Sequence, residues 1–464
     1  MDTLESSART TSQDSTSESV LLPTEMVDYV VDFLHDDMDS LRSCTLVSKQ
    51  WLPAGSFHLF HCIRWPPCDD QWTWCATHPD THCKCHLLDD SGTLDGILSL
   101  LTTCTRISVN VRSLLIKMEW YGPGAATFSR VTTPQQLSSV LILIPKLVTL
   151  EIYSLQFSTT HSVASLPKGC SIQTLRLESL AVDVDFRSLS IFLSHFPSIQ
   201  TLQVWSTTPL QPSDTAASTA QTLPVHVQDL DISILSRDRT WFDFLSANLD
   251  MAALTSLSHY HSSHQDTRTA EYEAYIAAAH GFLRNCSNLR VLKWRSIPTP
   301  ELRSHPSVCP TLDEIHFTFS SQHIYHAYWN SIAEFLNSRI ASAATTAVVD
   351  FTYVLLVYSD FEDWNFAAYQ NVFREEFGSL DWAALNSAFA RLQYLRMEVR
   401  LHFSKARLWG ETSPSGDVNQ RAGPGVWLEQ VEECRAATET FIRSRLSMES
   451  HQKLELCVSF HVRH

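Results

Sequence analysis

The stretch GCSIQTLRLESLAVDVDFRSLSIFLSHFPSIQTLQVWS, residues 169–206, holds the unit from which most of the chain is built. Ile172, Leu175 and Leu177 point one way among polar neighbours, the alternation of a half-buried strand. Leu189, Phe192, Leu193 and Phe196 then recur at three- and four-residue spacing, which gives a helix one apolar face. A turn at Pro197 follows, and the strand pattern returns as SIQTLQVWS. One strand and one helix of this size cannot bury their faces alone, so each unit needs neighbours of its own kind.

The same sentence recurs as IPKLVTLEIYS from Ile144, HVQDLDIS from His226, CSNLRVLKWRS from Cys286, CPTLDEIHFTF from Cys309 and FARLQYLRMEV from Phe389. Several instances are about 25 to 30 residues apart, the period of a stacked repeat. Helical patterns fill gaps between them: YEAYIAAAHGFLRNCSNL, WNSIAEFLNSRI, LDWAALNSAFARL and VWLEQVEECRAATETFIRSRL, the last before a final strand, LELCVSF. The spacing Leu-x-x-Leu-x-Leu, as in Leu289, Leu292 and Trp294, resembles leucine-rich repeats. The Asn that usually closes such a repeat is replaced by Glu178-Ser179, Trp205-Ser206 and Arg295-Ser296, so irregular repeats of variable curvature are expected.

The front of the chain reads differently. Residues 20–63, VLLPTEMVDYVVDFLHDDMDSLRSCTLVSKQWLPAGSFHLFHCI, predict three short helices. The first opens at Leu22-Pro23, with Glu25 and Asp28 near its positive end, and is apolar at Leu22, Met26, Val30 and Leu34, broadened by Val27, Val31 and Phe33. Asp39 or Ser40 caps a second, with Leu41, Cys44, Val47 and Trp51 in a stripe that Pro53 ends. Phe57, Leu59, Phe60 and Ile63 follow. Two small helices cannot hide that much apolar surface, so part of it faces another body.

LLPTEM, a hydrophobic helix, LRSCTLVSKQWLP and HLF together resemble an F-box, and the F-box followed by repeats resembles a type of protein that fungal genomes carry in large numbers. The resemblance implies a fold of mixed α and β repeats: an N-terminal three-helix F-box followed by an irregular leucine-rich-repeat-like solenoid. It also implies contact with a Skp-type adaptor through Leu22, Pro23, Glu25, Val27, Val31, Leu34, Leu41, Val47 and Trp51. The expected boundaries are a disordered tail over residues 1–19, the F-box over 20–63, a Cys/His-rich connecting loop over 64–92, and the repeat domain over 93–464.

Composition bounds the function. Of 464 residues, 44% are apolar and 10% aromatic, which suits a large globular core. The formal charge of −16 disfavours general binding to nucleic acid or an anionic membrane, and no apolar run approaches the ~20 residues of a membrane span. The polar, slightly acidic first nineteen residues are unlike a signal peptide, so cytoplasm or nucleus is expected. Twelve cysteines in such a chain are not a disulfide framework; Cys104, Cys170, Cys286 and Cys309 precede strand patterns, where a buried thiol serves as a small hydrophobe.

One segment is dense in metal-ligating types. Cys75, His78, His82 and Cys85 in CIRWPPCDDQWTWCATHPDTHCKCHLL offer ligands for a structural zinc; the other reading is an insertion loop anchored by Cys and aromatic side chains. There is no HExxH helix, Ser elbow or phosphate-cradling Gly loop, so no catalytic residue is assigned. Acidic clusters near Asp360, Glu375 and Glu432 read as solvated faces or as docking points for a basic peptide. Tyr153, Trp205 and Trp294 read as recognition-surface anchors or as core filling.

The expected role is therefore a non-catalytic substrate-receptor subunit of a Skp–cullin–F-box ubiquitin ligase. The box binds the adaptor, the repeats bind an unknown protein target, and no cofactor is needed beyond a possible structural zinc. The alternatives are a non-degradative repeat scaffold or Skp-bound regulator, and a zinc-stabilised binding module.

Overall fold

The computed structural model describes residues 22–65, 94–117, 134–153, 172–178, 186–206, 224–234, 239–261, 270–295, 311–321, 326–337, 344–357, 373–375, 377–405, 424–447 and 452–463. The chain divides into two compact units, the first ending at Cys62 and the second beginning at Ile63.

The first unit holds helices α1 (Thr24–Phe33), α2 (Met38–Val47) and α3 (Leu52–Phe60). Val27, Val31 and Leu41 form its buried core, and Leu34, Trp51, Ala54 and Leu59 pack against them. Two starts differ from the sequence expectation. Asp37, not Asp39 or Ser40, caps α2, its carboxylate accepting from the amides of Asp39 (3.2 Å) and Ser40 (3.0 Å). A cap must precede the first free amides, and Asp37 is the acidic residue that does so. Pro53 does not end α2; it lies in the first turn of α3, where its missing N–H costs no hydrogen bond. The Gln50 side-chain amide donates to the Leu22 carbonyl, joining the α2–α3 connection to the residues before α1, and His58 Nε2 of α3 lies 2.7 Å from Asp32 Oδ1 of α1.

In the second unit the elements run β1 (Cys62–Trp65), α4 (Asp95–Thr103), α5 (Thr105–Ser108), β2 (Ser113–Lys117), α6 (Pro134–Leu143), β3 (Thr149–Tyr153), β4 (Ile172–Glu178), α7 (Phe186–Leu193), β5 (Ser198–Ser206) and β6 (His226–Ile234). There follow α8 (Thr240–Asn248), β7 (Ser256–His261), α9 (Ala270–Asn285), β8 (Val291–Arg295), β9 (Glu314–Ser321), α10 (His326–Leu336), β10 (Thr346–Val357), α11 (Trp382–Ala390), β11 (Tyr394–Lys405), α12 (Pro424–Arg445) and β12 (Leu454–Arg463).

The expected architecture, an F-box followed by an irregular leucine-rich-repeat-like solenoid, is corrected here. The described residues form an α/β fold with a single twelve-stranded sheet whose lateral order is the sequence order. Each neighbouring pair from β2 to β12 is parallel, and β10 pairs with β11 over all twelve residues, from Thr346 opposite Tyr394 to Val357 opposite Lys405. The physical reason is backbone satisfaction: each strand takes its hydrogen-bond partners from the next, so the sheet stays continuous whatever the length of the connections.

A sheet that always adds its next strand on the same side, with right-handed crossovers, carries its helices on one face. The burial pattern agrees. Along β3, Leu150 and Ile152 are buried while Thr149, Glu151 and Tyr153 keep partial exposure, and β5 alternates in the same way. The buried positions of the strands and the inner faces of the helices make one continuous core that includes Phe192, Trp241, Phe282, Trp329 and Phe373. Cys286 joins this core and donates its thiol to the Phe282 carbonyl, as the sequence suggested; Cys104 is exposed, and Cys170 and Cys309 lie outside the described residues.

Candidate functional site

Two surfaces stand out, one on each unit. On the helical unit, α1 is apolar on two sides. Val27 and Val31 face inward, while Met26, Tyr29, Val30 and Phe33, at three- and four-residue spacing, face outward; Phe33 is 82% exposed and Tyr29 70%. On α2, Leu46 (85%) and Val47 (67%) are also exposed. Isolated exposed apolar side chains are ordinary, but one helix presenting four in a row along one face is the pattern of an interaction surface.

The nine residues that the F-box resemblance assigns to an adaptor fall into two groups. Leu22, Pro23, Glu25 and Val47 are exposed. Val27, Val31 and Leu41 are fully buried, and Leu34 and Trp51 pack on them, so these five hold the helices together. Periodicity alone missed Met26, Tyr29, Phe33 and Leu46 as the outward set, because α1 is apolar around nearly half its circumference.

On the sheet, the face opposite the helices is a polar lattice in which register aligns side chains into rows across the strands. Its best-defined cluster centres on Arg176 of β4. The guanidinium donates to Glu178 at 2.9 Å, stands 3.6 Å from Glu151, and lies over the rings of Trp205 and Tyr153 on the two adjacent strands, 4.6 and 5.5 Å from their centres. Burial, reinforced by the Glu178 carboxylate, pushes the Tyr153 phenol up to about 12. Of the three aromatics singled out from sequence, Tyr153 and Trp205 thus lie on the open face, whereas Trp294 is buried with His259 in the core, their rings 4.7 Å apart.

A second charged cluster spans β10 and β11: Arg400 lies 3.1 Å from Asp350 and 2.7 Å from Glu398. The acidic residues Glu432 and Glu433 of α12 are exposed, and Arg435 pairs with Glu432, holding its carboxyl below the usual range. Glu375 is exposed, and Asp360 lies outside the described residues.

The zinc candidates Cys75, His78, His82 and Cys85 also lie outside the described residues. Among the described residues no group of three or more His, Cys, Asp or Glu is placed to hold a metal ion, and no helix is long and apolar enough to cross a membrane. The chain matches no protein-family model and no curated protein.

Proposed function

We propose that this chain is the substrate-receptor subunit of a Skp–cullin–F-box type ubiquitin ligase, with the helical unit docking a Skp-type adaptor and the open sheet face holding a target protein. The observation that carries this reading is the outward face of α1, where Met26, Tyr29, Val30 and Phe33 are exposed directly behind the LLPTEM motif. The buried pair Val27 and Val31 leaves that face free of any structural duty within its own unit. The chain makes no covalent bond in this role. Its contribution is proximity, since tethering a target beside the conjugating enzyme raises the effective concentration of the target's lysines.

The experiment is co-purification of the full chain, and of a Leu22→Ala/Pro23→Ala variant, with the Skp-type adaptor. Retention by the wild type and loss by the variant supports the reading. A wild type that fails to retain the adaptor sinks it. Adaptor retained with no cullin in the same complex points instead to a Skp-bound regulator.

A further inference from the structure

The lateral order leaves β1 at one end of the sheet and β12 at the other. The two ends are unlike. β1 is four residues long, and a short strand is a poor template for another chain. β12 is ten residues long and runs in unbroken register with β11 from Leu454 to Arg463, with no proline in it. A long, regular edge recruits a further strand unless bulges, prolines or charges guard it.

The register fixes which backbone groups this edge offers. In a parallel ladder, alternate residues turn both N–H and C=O to the same side. The Lys453 carbonyl accepts from the Leu395 amide, so Glu455, Cys457, Ser459, His461 and Arg463 turn these groups towards β11. Leu454, Leu456, Val458, Phe460 and Val462 turn theirs away from it. Among the described residues no backbone group bonds to this outward row. All five are apolar residues, so the row carries none of the charge that guards natural edges. Leu454 and Leu456 are only partly buried against the core, because the sheet ends beside them.

We propose that β12 pairs with β12 of a second copy of this chain, joining the two sheets edge to edge. A closed pair of identical edges is two-fold symmetric, which makes the new pairing antiparallel. Outward residues must meet outward residues to share hydrogen bonds, so the two-fold centres on a residue of the strand. Centres at Val458 and Ser459 pair the longest stretch. The first sets Lys453 against Arg463, and like charges directly opposite are destabilising. The second pairs residues 455–463 of both copies, with Leu456 opposite Val462 and Val458 opposite Phe460, apolar against apolar. Glu455, already bonded by the Tyr394 hydroxyl, then faces Arg463, and no like charges meet. Cys457, an exposed free thiol, comes opposite His461 of the other copy. The chain's charge of −16 does not oppose this contact, since Lys453 and Arg463 outnumber Glu455 along the edge. The pairing uses the end of the sheet and leaves the helical unit untouched.

Light scattering of the full chain on a sizing column, with no adaptor present, is expected to give the mass of two copies at about 100 μM, where even a weak pair is populated. Leu456→Pro removes one outward N–H per copy and spares the bonds to β11, in which that N–H takes no part. It is expected to raise the dissociation constant at least about tenfold, with a thermal melt that overlays the wild type. His461→Cys supplies a readout that does not depend on how the strand tolerates proline. It sets a thiol opposite Cys457 of the other copy, and diamide, which takes up the two hydrogens of the paired thiols, is expected to link the copies through a disulfide at these positions, located by peptide mapping. In the wild type the two Cys457 residues lie farther apart than the Cα separation of about 7 Å that a disulfide spans, so no bond forms between them. A monomeric wild type at that concentration, a Leu456→Pro chain that pairs as the wild type does, no linkage in His461→Cys, or a Cys457–Cys457 disulfide in the wild type overturns the proposal.

Discussion

Gly55 of α3 lies so close to Thr45 of α2 that a methyl group on it would stand 2.6 Å from Thr45 Cγ2. The two helices use the missing side chain to approach each other. Gly55→Ala is expected to push them apart and cost about 1–3 kcal/mol by overpacking, and Thr45→Ser, which removes the opposing methyl, to restore much of that loss in the double variant. Hydrogen exchange of the α2 and α3 amides in the full chain reads both effects; equal protection in Gly55→Ala and the wild type contradicts the packing account.

Leu41 and Leu46 lie on the same helix and have opposite duties. Leu41 is fully buried and Leu46 is 85% exposed. Leu41→Ala is expected to destabilise the helical unit by about 2–5 kcal/mol, whereas Leu46→Ala stays within about 0.5 kcal/mol of the wild type. Exchange rates across α1 to α3 separate the two, and similar losses from both substitutions would show that Leu46 has a structural partner.

Asp350 tests the electrostatics of the open face. Burial raises its carboxyl above the ordinary range, with Arg400 opposing and Glu398 adding to the shift, and its Oδ1 is buried without a hydrogen-bond partner. A carboxyl whose folded value is raised favours the folded state in its protonated form, so its contribution is greatest below the unfolded value, about 3.9, and is lost as pH rises through the folded one. Asp350→Asn is therefore expected to raise Tm relative to the wild type at neutral pH, with the gain shrinking towards pH 4. Glu398, 2.7 Å from Arg400, is untouched by that substitution. A lower Tm for the variant at pH 7 would mean that the Arg400 pair outweighs the burial.

The last strand covers the sheet. β12 pairs with β11 along Leu395–Ser404, and α12 packs against it. A chain ending at Ser447 is expected to leave β11 as an uncovered edge beside Leu395, Met397 and Val399, all buried in the full chain, and to self-associate with concentration. Light scattering checks this; a monodisperse monomer would show that the core closes without β12.

Much of the local structure was legible in the sequence. The alternation in IQTLRLE and SIQTLQVWS marks β4 and β5, and Leu189, Phe192 and Leu193 mark α7. The lateral order was not, because alternation tells which side chains point inward but not which strand supplies the backbone partners. Arg176 and Trp205 are 29 positions apart, and only the β4–β5 register, with Glu178 opposite Trp205, brings them together. For α1 the limit was different. Apolar residues on two sides satisfy helical periodicity in more than one rotation, and the packing of Leu41 against Val27 and Val31 decides which side is inward.

Calorimetric titration of the full chain with a purified Skp-type adaptor reads the docking proposed for the outward face of α1. Saturable binding is expected, which Phe33→Asp and Tyr29→Asp each weaken by at least about tenfold, the range expected of central interface anchors, while amide exchange in α1 to α3 stays as in the wild type. No heat of binding by the wild type, or equal affinity in both variants, would contradict it.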